Sequence, residues 1–188
     1  MKRLFFLSLT LLAFLNSCKE PTPRKPIHEN KRFNREYSVD SKRTKKNLEF
    51  ENLAIEEYIT RDSTNTYLNS AKGFKYCYIK KDSVSNVLPK YSNELTFTYN
   101  VTDIGNNIIY SKKQVGKRTY FLDQESKLIE GLRQGLKLMK AGEEIRFIFP
   151  SQIAYGYRGD GLRVKPNFPL IYNVTLLNIS KKQTQNIK

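Results

Sequence analysis

The spacing of apolar residues changes several times along the chain. An apolar run covers residues 4–15, and a polar stretch with almost no apolar periodicity then extends to about residue 44. Helical spacing follows from about Lys45 to Arg61, and after Gly73 apolar residues recur at every second position. The pattern predicts one amphipathic helix followed by a domain made largely of strands.

The region after Gly73 contains several alternating segments and one segment with helical spacing. The alternating segments are GFKYCYI, ELTFTYNV, IIYSK, YFL, EEIRFIFP and LIYNVTLLNI. In SKLIEGLRQGLKLMKAGE, the residues that share one helical face are Leu128, Leu132, Leu136 and Met139. Ala141-Gly142 would close this helix. Many strands around one short helix, without strand–helix alternation, predict an α+β fold with an antiparallel sheet.

Two glycines, Gly131 and Gly135, lie about one turn apart in the helical segment. This spacing supports helix association in membranes only when the helix is apolar and long enough to span the bilayer. The segment here is short and amphipathic, so we expect the glycines to bring the helix close to the sheet. Cys77, inside an alternating segment, is expected to be a buried free thiol.

The N-terminal residues have the organisation of an export signal. Lys2 and Arg3 precede the apolar run, and small and polar residues lead to Cys18. The run is shorter than the ~20 residues that a membrane-spanning helix needs. The letters LNSC resemble the lipobox of bacterial lipoproteins, which implies cleavage before Cys18 and a lipid on its thiol. A plain secretory signal with a chance cysteine is the alternative.

Residues 19–44 are expected to form a basic flexible tether, because they contain prolines and many charges but few apolar residues. The formal net charge of the chain is +15, which often indicates nucleic acid. An exported, membrane-tethered protein does not meet nucleic acid, so the charge favours anionic lipid, envelope polymer or a solvated linker. The predicted divisions are a signal (1–18), the tether, a helix with a linker (45–72) and a folded domain (73–182).

Few residues of the predicted domain carry catalytic chemistry. The single histidine, His28, lies in the tether, so histidine triads and histidine metal sites are not expected. The glycines of AYGYRGDG lack the spacing and the following helix of a phosphate-binding loop. Arg158-Gly159-Asp160 matches an adhesion tripeptide, but a three-residue match is frequent by chance. No metal or cofactor is predicted. The remaining candidate for a functional residue is Tyr155, on a glycine-rich turn that follows a strand.

The run LIEGLRQGLKLMKAGEEIRFIFPSQIAYGYRGDG, followed by VKPNFPLIYNVTLLNI, resembles the second half of an FKBP-type peptidyl-prolyl isomerase domain. The similarity lies in the helix, the turn P-x-x-x-A-Y-G and the closing strand, and it extends more loosely over roughly Gly73 to Ser180. It implies a half-barrel of antiparallel strands curled around one short helix, with an aromatic pocket between helix and sheet.

The resemblance implies roles for a set of pocket residues. Three would be catalytic: Tyr155 as a hydroxyl donor over the pocket, Tyr99 as a wall tyrosine, and Ile129 through its backbone N–H. The residues that would contact the substrate are Ile109, Tyr110, Leu128, Leu132, Val164 and Tyr172. The implied partner is a proline-containing segment of an exported protein, and no cofactor is needed.

This sequence departs from the family pattern at several of these positions. Leu132 replaces a tryptophan floor, Ile109 replaces a wall phenylalanine, and Arg163 takes a usually aliphatic place in the flap. Tyr110 falls where most active members have an aspartate that contacts the ligand. Two functions therefore stay open: a prolyl isomerase of the cell envelope, or a catalytically weak peptide-binding or scaffold lipoprotein with the same fold.

The order of lipoprotein signal, tether, helix and FKBP-type domain resembles the gliding-motility-associated isomerase lipoproteins of gliding bacteria. That resemblance implies a lipid anchor in a bacterial membrane, a position facing the periplasm, and clients in motility or secretion machinery. Related envelope isomerases dimerise through N-terminal helices, so residues 45–61 are a candidate homodimer contact. Docking of this helix on its own domain is the alternative.

Overall fold

The computed structural model describes residues 31–82, 87–122 and 128–181, with side chains described from Thr44 onward. The predicted signal, the predicted lipidation site Cys18 and residues 19–30 of the predicted tether lie outside the described residues. The elements, in chain order, are α1 (Lys31–Arg61), β1 (Leu68–Asn69), β2 (Lys75–Lys80), β3 (Asn93–Thr102), β4 (Ile108–Tyr110), α2 (Lys112–Val115), β5 (Arg118–Phe121), α3 (Glu130–Leu136), β6 (Glu144–Phe149) and β7 (Leu170–Lys181). Short 3₁₀ turns cover Ser151–Ile153 and Gly156–Arg158.

The strands form one seven-stranded antiparallel sheet, in the order β1-β2-β6-β7-β3-β4, with β5 also paired to β3. The two central strands, β6 and β7, are rich in β-branched and aromatic residues, which favour a sheet. In their register Phe147 lies opposite Tyr172 and Ile148 lies opposite Ile171. Neighbouring pairs therefore face opposite sides of the sheet. The predicted α+β fold with an antiparallel sheet is confirmed.

The helix α3 lies against one face of the sheet. A Cβ atom added to Gly131 would lie 2.6 Å from the ring of Phe149, and one added to Gly135 would lie 3.0 Å from the ring of Phe147. The expectation that both glycines permit close packing is confirmed. On the opposite face of the sheet, beside Arg146, Cys77 is a buried free thiol, as predicted.

The helix α3 is shorter than the sequence pattern indicated. It ends at Leu136 rather than at Ala141-Gly142. The next residues leave the helix through turn hydrogen bonds, from the Leu138 N–H to the Gly135 carbonyl and from the Met139 N–H to the Leu136 carbonyl. Met139 is nevertheless fully buried in the main core. The apolar spacing correctly predicted that Met139 is buried. The prediction that the helix continues as far as Met139 was wrong.

A second, smaller core lies on the opposite face of the sheet. Ile55 and Tyr58 of α1 pack there against Ile148 of β6 and Ile171 of β7. All four side chains are buried. Because Ile55 and Tyr58 are three residues apart, they share one helical face. The C-terminal part of α1 therefore covers this side of the sheet.

Polar contacts hold the end of α1 in place. The Arg146 Nη1 atom of β6 lies 2.7 Å from Asp62 Oδ2, and the Arg146 Nε–H donates to Asn173 Oδ1 at 2.8 Å. The Tyr67 hydroxyl donates to the same Asp62 oxygen at 2.7 Å. Burial opposes ionisation of Asp62, but these hydrogen bonds and the Arg146 charge hold its pKa below the usual value. The ion pair fixes the point where the chain leaves the helix.

The helix begins earlier than predicted. It starts at Lys31 rather than near Lys45, so residues 31–44 are helical and not the flexible tether that the polar composition indicated. Residues 31–61 contain no proline or glycine, and their lysines, arginines and glutamates have high helix propensity. Because the C-terminal end of the helix packs on the sheet, the helix can extend towards its N-terminus without an apolar face.

Contacts divide the chain into two compact units, Met1–Ser41 and Lys42–Lys188. The second unit contains the sheet together with the last turns of α1, so the domain boundary predicted at residue 73 cuts through a packed structure. Among the described residues, no helix combines the length and the apolar character needed to cross a membrane.

Candidate active site

A cavity of about 700 Å³ opens on the sheet beside the segment that follows β6. Four tyrosines contribute to its wall, together with two arginines, one aspartate and smaller apolar or amide side chains. The lining residues are Tyr99, Val101, Tyr110, Gln114, Val115, Arg118, Tyr155, Asp160, Leu162, Arg163 and Tyr172. Residues 156–164, which cover one side of the cavity, are called the flap below.

The deepest part of the wall is aromatic. Tyr99 of β3 and Tyr172 of β7 lie on neighbouring strands, with ring centroids 5.3 Å apart. In the register Tyr99 is opposite Val174, so the two tyrosines form a diagonal pair on one face. Burial raises the pKa of both phenols, and the nearby Tyr155 raises them further. Both hydroxyls therefore stay protonated at neutral pH.

Tyr155 is placed by a tight turn at the end of β6. Pro150 ends the strand, the 3₁₀ turn from Ser151 to Ile153 follows, and Tyr155 has φ −107° and ψ 0° at the start of the second turn. Tyr155 lies close enough to Tyr172 to raise the pKa of that phenol. The turn thus places Tyr155 among the residues that line the cavity, next to its aromatic wall.

Asp160 is the carboxylate of the cavity, and its oxygens are already occupied. Its Oδ1 atom accepts backbone N–H groups from Leu162 at 2.9 Å, Arg163 at 2.8 Å and Val164 at 2.8 Å. Its Oδ2 atom accepts the Tyr110 hydroxyl of β4. Burial alone would raise the pKa of Asp160, but these hydrogen bonds lower it to about 2. The same contact raises the pKa of Tyr110 to about 12.

Arg163 joins the flap to β4 a second time. Its Nη1 atom donates to the Ile109 carbonyl at 3.0 Å. Its guanidinium carbon also lies 5.4 Å from the ring centroid of Tyr110, within cation–π range. Together with the Asp160 contact, these interactions close one side of the cavity.

The adhesion interpretation of Arg158-Gly159-Asp160 finds no support in this arrangement. A carboxylate that binds an outside partner must be free to do so, and Asp160 is bonded within the flap and to β4. Gly159 has φ +65°, and an added Cβ atom would clash with the Val164 carbonyl. Both residues have structural reasons to be present.

The structure separates the predicted site residues into two groups. Tyr99, Tyr110, Tyr155 and Tyr172 line the cavity. The aliphatic members of the set do not line it and instead belong to the adjoining core: Leu132 and Val164 are buried there, and Ile109, Leu128 and Ile129 pack against it. Of the predicted set, the tyrosines thus form the cavity wall and the aliphatic residues belong to the core beside it.

Sequence reasoning did not assign Asp160, Gln114 or Arg118 to the cavity. The signal for Asp160 was present, because an aspartate followed by glycine is a frequent turn former whose side chain accepts nearby backbone N–H groups. Gln114 and Arg118 carried no comparable signal, since their place depends on the short helix α2 and on the pairing of β5 with β3.

Within the described residues, no cluster of three or more potential metal ligands occurs.

Lowering the pH towards 2 should protonate Asp160 and weaken the contact between the flap and β4. A carboxyl whose pKa falls from 3.8 to about 2 on folding contributes stability above pH 3.8 and loses it as the pH falls towards 2. Amide NMR signals of Leu162, Arg163 and Val164 should therefore shift in this window. Tyr110→Phe removes one hydrogen-bond donor to Asp160 and so raises the pKa of that carboxyl. The amide signals should therefore shift at a higher pH in this variant. Identical titrations for the variant and the wild type would contradict the role given to the Tyr110 hydroxyl.

Comparisons with known proteins agree with this geometry. The family model of the FKBP-type peptidyl-prolyl cis-trans isomerases matches residues 86–177. The outer membrane protein MIP of Legionella longbeachae is 32% identical over 109 residues, which are 58% of this chain and 45% of that protein. The probable FKBP-type isomerase FkpA of Neisseria meningitidis serogroup B is 28% identical over 144 residues, 77% of this chain and 50% of that protein.

Solved structures show the same fold. Escherichia coli FkpA has a TM-score of 0.59 at 20% identity and covers 96% of this chain and 83% of its own. A peptidyl-prolyl cis-trans isomerase of Pseudomonas syringae pv. tomato also has a TM-score of 0.59, at 21% identity, over 73% of this chain and 96% of its own. The chain spans about half the length of the two curated relatives described above. Residues 86–177 therefore match the FKBP-type peptidyl-prolyl cis-trans isomerase family, and the sheet and helix around them have the FKBP-like fold.

Proposed function

We propose that the protein is a peptidyl-prolyl cis-trans isomerase. The observation that carries this proposal is the cavity walled by Tyr99, Tyr110 and Tyr172, with the Tyr155 hydroxyl at its edge, in a domain of the isomerase family. An aromatic cavity of about 700 Å³ has ample room for a proline ring and its neighbouring peptide groups.

The chemistry proposed for this site requires no covalent intermediate. Rotation about a prolyl bond faces a barrier of about 18–20 kcal/mol, which comes from amide resonance. A catalyst needs only to bind the twisted amide more tightly than either planar form. The tyrosine rings would remove water from the prolyl amide, which disfavours its charge-separated resonance form. The Tyr155 hydroxyl would hold an adjacent carbonyl group. The Ile129 side chain packs against the adjoining core, so its proposed role rests on its backbone N–H alone.

The charges at the cavity support a preference among substrates. Arg118 and Arg163 both line the cavity, whereas the carboxylate of Asp160 is occupied by internal hydrogen bonds. Proline segments that carry acidic residues therefore fit this site better than basic ones.

Tyr155→Phe should slow catalysis without unfolding the domain. Loss of one neutral hydrogen bond corresponds to about 0.5–1.5 kcal/mol, or about a threefold to tenfold fall in the isomerisation rate. Exchange NMR on a proline peptide measures the rate directly. The matched control is Tyr157→Phe, because Tyr157 is 70% exposed on the same flap and does not line the cavity. Equal rates for both variants would remove the role of the Tyr155 hydroxyl.

The alternative is a peptide-binding or scaffold module with little turnover. It is favoured by Tyr110, which stands where most active members have an aspartate. The same experiment separates the two functions. Binding of the peptide by the wild-type protein without acceleration of its isomerisation would reject the enzyme and support the module.

We also propose a place in the cell envelope, with a lipid on Cys18 and the domain facing the periplasm. Support comes from the organisation of residues 1–18 and from one relative that is called an outer membrane protein. Clients would be proline-containing segments of exported proteins. Mass spectrometry of the mature protein tests the anchor, since an N-terminus without a lipid on Cys18 would exclude it.

Two finer assignments rest on resemblance to the gliding-motility-associated lipoproteins. One is a role in motility or secretion machinery, which normal spreading of a strain lacking the gene would exclude. The other is a homodimer through α1. Phe50 and Leu53 are exposed on that helix and support this contact. Sedimentation of the full chain as a pure monomer would exclude it.

A further inference from the structure

We propose that Glu51 of α1 is a positioning residue for Tyr155, acting through Ser151. Ser151 is the first residue of the 3₁₀ turn after β6. Its hydroxyl donates to Glu51 Oε2 at 2.8 Å, and its backbone N–H donates to Glu51 Oε1. The proposal rests on the proposed isomerase function and adds to it a contact from outside the cavity.

The contact is buried on both sides. Glu51 is 6% exposed and Ser151 is 4% exposed. A carboxylate is costly to bury unless hydrogen bonds compensate for lost water, and an apolar residue of similar size would fill the same space at lower cost. Glu51 satisfies two donors of a single residue, which an apolar side chain could not do. The pairing therefore points to control of the backbone at Ser151 rather than to packing alone.

The turn transmits this control to Tyr155 over a short distance. The Ile153 N–H donates to the Pro150 carbonyl at 3.1 Å, and the Ala154 N–H donates to the Ser151 carbonyl at 3.0 Å. On the other side of Tyr155, the Asn167 N–H donates to the Gly156 carbonyl at 2.8 Å. The segment that carries Tyr155 is thus fixed at both ends, and Glu51 fixes the first.

Three variants of the full chain test the proposal. Glu51→Ala removes both acceptors. Glu51→Gln keeps an acceptor for the Ser151 N–H, and its amide can donate to the Ser151 hydroxyl. Ile55→Ala loosens the same face of α1 but leaves the contact to Ser151 intact, so it controls for a general loss of helix docking. Amide hydrogen exchange of Ala154 and the isomerisation rate of a proline peptide are measured for each.

We expect Glu51→Ala to speed exchange at Ala154 about tenfold and to lower the isomerisation rate about fivefold with little change in peptide affinity. Glu51→Gln should restore both values to within about twofold of the wild type. Ile55→Ala should lower the melting temperature but leave both local values near those of the wild type. Such a difference between the two alanine variants would establish positioning.

Two results would overturn the proposal. One is unchanged exchange at Ala154 in Glu51→Ala, and the other is an equal loss of local protection in Ile55→Ala. Failure of the isomerase function is distinguishable, because a wild type that does not accelerate the peptide still reports on the Ser151 turn through hydrogen exchange. The exchange measurement therefore decides the structural part of the inference whatever the activity.

Discussion

A chain shortened to begin at Gly73 should lose most of its stability. Removal of α1 exposes Ile148 and Ile171. It also removes Glu51, the partner of Ser151, and the truncation removes Asp62, the partner of Arg146. Exposure of two large apolar side chains costs about 3–6 kcal/mol, and loss of the polar partners adds about 1–3 kcal/mol for each buried group. Because domains are stable by only about 5–15 kcal/mol, we expect a partly or fully unfolded product.

The matched control is a chain that begins at Lys42, at the border between the two compact units. It keeps the part of α1 that packs on the sheet, so urea unfolding should give the same midpoint as the full chain. A folded, equally stable chain beginning at Gly73 would show that α1 is an accessory and not part of the domain. The experiment thus tests where the domain starts.

Gly159→Ala should disrupt the flap. Gly159 combines φ +65° with ψ −161°, a conformation found almost only in glycine, and a Cβ atom would clash with the rigid Val164 carbonyl. Strain and clash together correspond to about 2–6 kcal/mol. The flap should relieve this by giving up the Asp160 contacts, so peptide affinity should fall tenfold or more, because 1.4 kcal/mol already corresponds to a factor of about ten.

Gly161→Ala is the control on the same flap. Gly161 also has a positive φ, of +74°, but no atom lies within 4 Å of an added Cβ. Only the conformational cost of about 1–2 kcal/mol remains. Isothermal titration with a proline peptide should therefore show a much smaller loss of affinity. Equal losses for the two variants would mean that backbone strain, and not the approach to Val164, determines the effect.

Much of the fold could be predicted because it depends on local spacing. Alternating residues indicated the strands, and Gly131 and Gly135 indicated close contact between helix and sheet. The start of α1 was missed because the polar composition of residues 31–44 resembles that of a flexible linker, whereas helix propensity and attachment at the far end decide the outcome. Composition alone cannot detect an attachment made by residues elsewhere in the sequence.

The site was predictable to a lesser degree. Tyr155 stood out because its turn has a distinctive sequence, whereas Tyr99 and Tyr172 were assigned to the pocket through the resemblance to the FKBP-type family. The pairing of Asp160 with Tyr110 joins the flap to the last residue of β4, far apart in the chain, and no local pattern determines that meeting. Aliphatic residues of the core and of a cavity wall look alike in sequence, so their separation required the structure.

The Asp160–Tyr110 contact has a consequence for how this sequence can change. Tyr110→Asp would install the residue that the resemblance to the FKBP-type family implies for this position. It would also place a second carboxylate against Asp160, so the two negative charges would repel each other and the flap would lose its link to β4. The substitution becomes tolerable only when position 160 changes as well. The two positions are therefore epistatic, and a substitution towards the family's usual residue can damage this protein.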